Sequence, residues 1–286
     1  MRSLFRHGLG RFGIIVLMIW VLAALTADGW ILDQTWMAND WHVADAAKSM
    51  GYERMTDEGE IVTHILGTDR FGRDVLSRLV LGARVSLSVG LIAVTIALFI
   101  GVPIGAIAGY YGGWVDRILS SIIQVFWSIP TFLMVIALSF VLGKGFWQVF
   151  IAVGLTAWVE VARLVRGQVI SIKTMEFVQA AQVLGYGTMR ILWRHILPQV
   201  VPALIVLSAS QFAMAILLES GLSFLGIGAQ PPMPSWGGMI RDHSAYLLTG
   251  QLHLTVIPGA ALASVVLAFM ALGNALRDVL DVRAGD

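Results

Sequence analysis

Four stretches of this chain contain no Asp, Glu, Lys or Arg: Val85 to Val115, Ile118 to Gly143, Ile196 to Leu218 and Ser244 to Leu276. Each exceeds the roughly 20 residues that an α-helix needs to cross about 30 Å of hydrocarbon. The chain is 57% hydrophobic and 13% charged, against roughly 25% charged in an average soluble domain, and its mean hydropathy is +0.80. It lacks the polar surface to cover itself in water and belongs in lipid. Two further segments complete a set of six spans: Phe12 to Ala27, which is short, and Phe146 to Val165, which carries Glu160 and Arg163 near one end. A last uncharged run, Ser220 to Ile240, reads as a loop. It holds Gly221, Gly226, Gly228, Pro231, Pro232, Pro234, Gly237 and Gly238, whose freed backbone groups lipid could not satisfy.

Arg2, Arg6 and Arg11 precede the first apolar stretch, as in a secretory signal peptide, but Leu25-Thr26-Ala27 is a poor small-x-small cleavage site, so the segment is read as a retained span. There are no cysteines, which excludes disulfides and thiolate-bound metals, and the net charge of +1 carries no signal. The position of the charges does. With both termini in the cytoplasm, Arg2, Arg6, Arg11, Arg117, Arg163, Arg166, Lys173, Arg190, Arg194, Arg277 and Arg283 all lie inside, whereas the later outer loops hold only Lys144 and Arg241. The long first outer loop, from Asp28 to Ala83, carries more acid than base.

That loop ends in a segment, His64 to Leu79, that reads as a capped amphipathic helix. Thr68 or Asp69 is the expected cap, Asp69/Arg73 and Asp74/Arg78 are i,i+4 pairs, and Leu76, Leu79, Val80 and Ala83 share a face. Its reading is a structural helix on the outer surface feeding the second span; a sharper alternative is contact with a delivered substrate or its carrier. Gly101, Gly105 and Gly109 repeat at four-residue spacing, so another helix can approach that face closely. Nothing of the form G-x-x-x-x-G-K-[ST] occurs, so these glycines are not a phosphate cradle. Pro130 removes a hydrogen bond inside the third span, which the Ser128 hydroxyl or a neighbouring helix can offset.

Between the fourth and fifth spans, a charged segment of about residues 166–199 is amphipathic at helical spacing. Phe177, Ala180, Ala181 and Leu184 fall at i, i+3, i+4 and i+7, Gly185 is a natural stop, and Thr188, Ile191, Leu192 and His195 begin a second short helix before Pro198. Two short helices with apolar faces thus leave the membrane. On the residues alone they could dock onto a protein or rest on lipid headgroups.

Gln179-Ala180-Ala181, Gly185 and then Ile196-Leu197-Pro198 resemble the cytoplasmic loop of ABC importer membrane subunits, whose pattern is Glu-Ala-Ala, three residues, Gly, a spacer of about nine, and Ile-x-Leu-Pro. Here Gln179 replaces the Glu, turning any ion pair there into a neutral hydrogen bond, and His195 stands in place of Ile. Further segments narrow the likeness: Leu66-Gly67-Thr68-Asp69, Gly72-Arg73-Asp74, Gly82-Ala83-Arg84-Val85-Ser86-Leu87, Leu222-Ser223-Phe224-Leu225-Gly226, Pro234-Ser235-Trp236-Gly237 and Leu276-Arg277-Asp278. From about Leu66 onward the chain is similar to the C-type permease of dipeptide and oligopeptide importers, a group that also includes nickel and glutathione permeases. It departs at Met270, Asn274 and Val282.

The resemblance implies an all-α membrane protein with six transmembrane helices and the type I ABC importer permease fold. Residues 1–83 would supply the first span, the outer loop and its amphipathic helix, and residues 84–286 the permease domain. Implied partners are a homologous second permease subunit, two ATP-binding subunits, an extracytoplasmic substrate-binding protein and membrane lipid, with no nucleic acid. The implied location is the bacterial cytoplasmic membrane. The chain would bind no cofactor and catalyse nothing itself, ATP and Mg²⁺ being held by the ATPase subunits. The expected ATPase contact comprises Phe177, Gln179, Ala180, Ala181, Leu184, Gly185 and Pro198.

The other candidate residues have two readings each. Glu160 and Arg163 can form a gate or a proton-sensitive pair, or merely snorkel from a helix end. Glu219 can recognise a peptide amino terminus or satisfy nearby N–H groups or Arg241, and Gln124, Ser208, Ser210, Gln211 and Asn274 can line a polar path or hydrogen-bond between helices. The six histidines show no i,i+4 or H-E-x-x-H pairing, so no metal centre is expected. An intramembrane serine protease would need Gly-x-Ser-Gly, and Gly221-Leu222-Ser223-Phe224 lacks the last glycine. A stand-alone channel or carrier differs from a permease subunit in needing no ATPase partner.

Overall fold

The computed structural model describes residues 7–26, 42–55, 59, 61–143, 146–229, 233–248 and 250–284. Arg2, Arg6, Lys144, Pro231, Pro232 and most of the acid-rich start of the first outer loop lie outside them. The described chain is helical apart from one hairpin: α1 Gly8–Thr26, β1 Tyr52–Met55, β2 Ile61–His64, α2 Val75–Tyr111, α3 Gly113–Ser128, α4 Thr131–Val141, α5 Phe146–Lys173, α6 Glu176–Val183, α7 Thr188–Ile191, α8 Leu197–Phe224, α9 Trp236–His243 and α10 His253–Ala284. Among the described residues five helical stretches are long and apolar enough to cross a bilayer, and the bent pair α3–α4 makes a sixth when counted as one span.

Several expected boundaries move. The third span, expected to be continuous from Ile118 to Gly143, is two helices bent by 92°. Pro130 has no N–H and pushes the preceding residue out of the helical region, so Ile129 (φ −88°, ψ 128°) and Pro130 (ψ 123°) are both extended and the helix breaks where only a lost hydrogen bond was expected. The Ser128 hydroxyl turns back to the Val125 carbonyl at 2.8 Å. The Ser220–Ile240 loop is also shorter than expected. Helix α8 runs on to Phe224, and α9 starts at Trp236 with the Ser235 hydroxyl accepting from the Gly238 N–H at 3.2 Å.

The amphipathic helix expected over His64–Leu79 starts only at Val75 and continues into α2. Its cap is Asp74, whose carboxylate accepts from the Ser77 N–H at 2.7 Å. Asp69 instead closes the preceding turn, accepting from the N–H groups of Phe71 (2.8 Å) and Arg73 (3.0 Å). The Asp69–Arg73 pair forms (2.6 Å), but Asp74 pairs with His64 of β2 (3.0 Å), and Arg78 turns to Asp69 (3.4 Å). The β1–β2 hairpin, which pairs Tyr52 with His64, brings in this competitor from outside the segment.

The chain divides into two compact units, one of residues 1–12, 90–215 and 269–286, the other of residues 13–89 and 216–268. In the first, α2 lies on α5 through its glycine face. A Cβ at Gly101 would stand 2.6 Å from the Trp158 carbonyl oxygen, and one at Gly109 2.8 Å from that of Arg166. The Arg166 guanidinium grips Asp116 of α3 with two bonds of 2.5 and 2.7 Å, and Lys173 donates to the Tyr110 carbonyl at 2.5 Å. These ties fix α5 to α2 and α3, and their core runs through Val161, Val165, Val169 and Ile172.

The second unit is organised around Trp236, which is fully buried. Its indole N–H donates to the Leu79 carbonyl at 2.9 Å, and its ring meets Trp20 edge-on at 5.0 Å. Arg84 donates to the Ala24 carbonyl from two nitrogens, at 3.1 and 2.9 Å. The His243 ring links α9 to the Asp69 turn, Nδ1 donating to the Met239 carbonyl (2.7 Å) and Nε2 accepting from the Arg70 N–H (3.3 Å). Burial holds this imidazole below its ordinary pKa, and accepting at Nε2 requires the neutral ring.

Candidate functional site

The segment after α5 folds as one tight knuckle. Helix α6 follows α5 after two residues, and Val178 and Ala181 of α6 are buried in the first unit's core with Ile172, Ile191, Leu192 and Ile196. The helix ends as a Schellman motif. Gly185 takes φ +76°, its N–H bonds the Gln182 carbonyl at 2.9 Å, and the Tyr186 N–H bonds that of Ala181 at 3.1 Å. A residue with a Cβ is strained in that left-handed conformation, which is why glycine serves here.

The second short helix expected before Pro198 is not separate. Helix α7 passes through a π-helical turn, Leu192–Ile196, straight into α8. Pro198 accounts for the turn. It has no N–H and its ring crowds the carbonyl four residues back, so a widened turn relieves the clash and keeps the helix continuous. The Tyr186 ring stacks on His195 at 5.9 Å, and the Arg190 guanidinium lies 4.6 Å above Tyr186.

The expected contact residues therefore separate. Phe177, Ala180 and Leu184 are exposed on one face of α6, and Leu184 is 70% exposed, whereas Ala181, expected on that face, points into the core. Gln179 donates its side-chain amide to the Thr174 carbonyl at 3.1 Å, a bond a Glu carboxylate could not make. Pro198 is exposed. Sequence reasoning missed Val183, Met189 and Trp193, which add exposed apolar surface to the same segment, Val183 at 88%. The available signal was simple: an eight-residue helix cannot bury every apolar side chain on two faces.

Of the other candidates, Glu160 and Arg163 are not paired with each other. Gln211 of α8 donates to the Glu160 carboxylate, and the Arg163 guanidinium lies 3.3 Å over the Trp127 ring. Glu219 is buried and receives the Ser223 hydroxyl at 2.6 Å and that of Ser220 at 3.4 Å, and among the described residues neither a backbone N–H nor Arg241 is its partner. A cavity of about 610 Å³ opens in the first unit, lined by Gln168 of α5, Gln199 and Ser210 of α8, and Arg277 of α10, among apolar neighbours. Among the described residues no group of three His, Asp or Glu is placed to hold a metal ion.

In sequence and in fold the chain matches known proteins. The family described as "Binding-protein-dependent transport system inner membrane component" covers residues 101–285. The chain is 39% identical over 237 residues to the glutathione transport system permease protein GsiD of Pectobacterium atrosepticum, covering 83% of this chain and 78% of that protein. It is 42% identical over 224 residues to the dipeptide transport system permease protein DppC of Alkalihalophilus pseudofirmus (78% and 73%), and 36% identical over 268 residues to the oligopeptide transport system permease protein OppC of Haemophilus influenzae (93% and 82%). Its fold is similar to a chain of the MetNI methionine ABC transporter, with TM-score 0.51, 18% identity and coverage of 68% of this chain and 97% of that one. The chain belongs to this family of multi-pass inner-membrane components, as an ABC importer permease of the peptide and oligopeptide class.

Proposed function

We propose that the chain forms half of the translocation pathway of an ATP-driven importer for dipeptides or short oligopeptides, with both termini in the cytoplasm. A homologous second permease subunit supplies the other half, two ATP-binding subunits carry ATP and Mg²⁺, and an extracytoplasmic binding protein delivers the solute. The observation that carries this reading is the two-sided build of α6. Val178 and Ala181 lock it into the bundle core, while Phe177, Val183 and Leu184 remain uncovered a few residues away.

A load applied to the exposed face passes through packed side chains to α5 and α8, so a partner that closes around ATP moves the bundle as a rigid body. The cavity beside Gln168, Gln199, Ser210 and Arg277 is our choice for the pathway wall. Glu160 with Gln211, Arg163 on Trp127, and Glu219 among its serines have structural roles in this reading. Gln179 braces the start of α6 and does not form an ion pair with the partner.

Relatives named for glutathione and for dipeptides share a short-peptide chemistry, and reconstitution separates them. Proteoliposomes holding all subunits are expected to take up labelled dipeptide only with ATP inside the partner subunits' reach, with unlabelled dipeptide competing at least tenfold better than glutathione or Ni²⁺. ATP-independent uptake, or none by the complete assembly, would remove the importer reading.

A further inference from the structure

The second unit contains a small pocket, about 90 Å³, between the Asp69 turn and α9, lined by Arg70, Phe71, Arg73, Arg78, Arg241 and Asp242 among others. Its charges are arranged in two similar sets. Arg73 and Arg78 share one oxygen of Asp69, at 2.6 and 3.4 Å, and Arg70 and Arg241 share one oxygen of Asp242, at 3.4 and 3.1 Å. Four guanidiniums and the Asp242 carboxylate thus line one cavity, with Asp69 buried behind Arg73 and Arg78. Arg70 and Arg241 together leave one positive charge beyond the Asp242 carboxylate, and the Arg73, Arg78 and Asp69 set beside them is 3%, 5% and 0% exposed, where water screens charge least.

The guanidiniums are also pre-positioned: those of Arg70 and Arg73 lie 4.4 and 4.6 Å over the Phe71 ring. Arg241 and Asp242 are held by α9, whose start is fixed by the buried Trp236. Guanidinium forks match a carboxylate in shape and charge, and the volume admits that group with its first carbons but no whole dipeptide.

We propose that this pocket binds a single carboxylate. Resting on the proposed importer function, it opens on the extracytoplasmic side, where the carboxylate comes either from the C-terminus of a delivered peptide or from an acidic side chain of the docked binding protein. The test uses the assembled importer in nanodiscs, with Ala-Ala and its C-terminal amide as probes by titration calorimetry. The acid is expected to bind roughly tenfold tighter than the amide, the size of a lost charge-assisted hydrogen bond. That ratio should fall below about twofold in Arg70→Gln/Arg241→Gln, two half-exposed arginines whose loss leaves the buried pair intact.

A second arm measures docking of the binding protein. Docking at least tenfold weaker in the double variant, with no acid–amide difference in the parent, assigns the carboxylate to the protein surface. Unchanged results in both arms, or inorganic phosphate preferred over the acid, overturn the proposal. Copurifying ATP-binding subunits are scored in the same samples. Their absence from the parent assembly fails the importer reading, while their presence with unaltered acid discrimination and docking fails only the pocket.

Discussion

Gly185→Trp is expected to leave the protein folded in the membrane and to abolish ATP-driven transport. A Cβ at Gly185 would meet nothing within 4 Å, so a side chain there leaves the backbone into open space. Its cost is the left-handed backbone at φ +76°, on the order of 1–2 kcal/mol for a residue with a side chain. That sum lies within what a folded domain tolerates, and the thermal midpoint should move by only a few degrees. The indole would, however, stand at the tip of the knuckle beside Leu184, where the proposal seats the ATP-binding subunit.

Transport and copurification of that subunit should both fall by at least a hundredfold. Gly185→Ala, which carries the same strain with no bulk, should keep most of both. Transport assays with the two variants, alongside thermal unfolding in detergent, separate strain from obstruction, and normal transport by the tryptophan variant would remove the knuckle from the mechanism.

Gly105→Val should fail earlier, at the level of folding. A Cβ at Gly105 would collide with the Ala162 carbonyl oxygen, and it would lie 2.9 Å from Val165 Cβ and 3.0 Å from the Arg166 backbone nitrogen. Backbone atoms of a hydrogen-bonded helix cannot step aside singly, so α2 and α5 must separate as bodies. The flanking contacts at Gly101 and Gly109 would open with them, as would the Lys173 bond to the Tyr110 carbonyl.

Overpacking of this kind costs about 1–3 kcal/mol or more, and the branched side chain takes it to the upper end. We expect little monodisperse protein on size exclusion and a thermal midpoint lower by ten degrees or so in what remains. Gly167 on α5 is the control. A Cβ there meets nothing within 4 Å, and alanine at that position should be neutral or stabilising by up to about 1 kcal/mol through helix propensity. Equal behaviour of Gly105→Val and Gly167→Ala would contradict close packing on the glycine face.

The parts of this fold that follow from one-dimensional rules were legible in the chain. Absence of charge located the long spans, four-residue spacing exposed the Gly101–Gly105–Gly109 face, and the Gly185 stop was visible as a glycine after an apolar repeat. What escaped depends on partners distant in sequence. The i,i+4 rule paired Asp74 with Arg78, but His64 arrives on the hairpin and takes Asp74. The i,i+3 neighbours Glu160 and Arg163 find Gln211 and Trp127 instead. Pro130 announced an interruption, but its 92° angle is set by two consecutive extended residues that spacing does not encode. The periodicity of α6 identified an apolar helix without deciding which apolar face the bundle takes, and Val178, absent from the expected set, is the residue it buries most completely.

In the proposed importer the exposed face of α6 is held by an ATP-binding subunit on the cytoplasmic side. The chain has no cysteines, so single ones can be placed without background. In the assembled importer, Leu184→Cys should cross-link to an ATP-binding subunit in high yield, with the yield changing when ATP is added, while Ala181→Cys, buried in the core, should not. Labelling of Leu184→Cys by an impermeant thiol reagent applied outside intact cells, with no cross-link to an ATP-binding subunit, would contradict the claim.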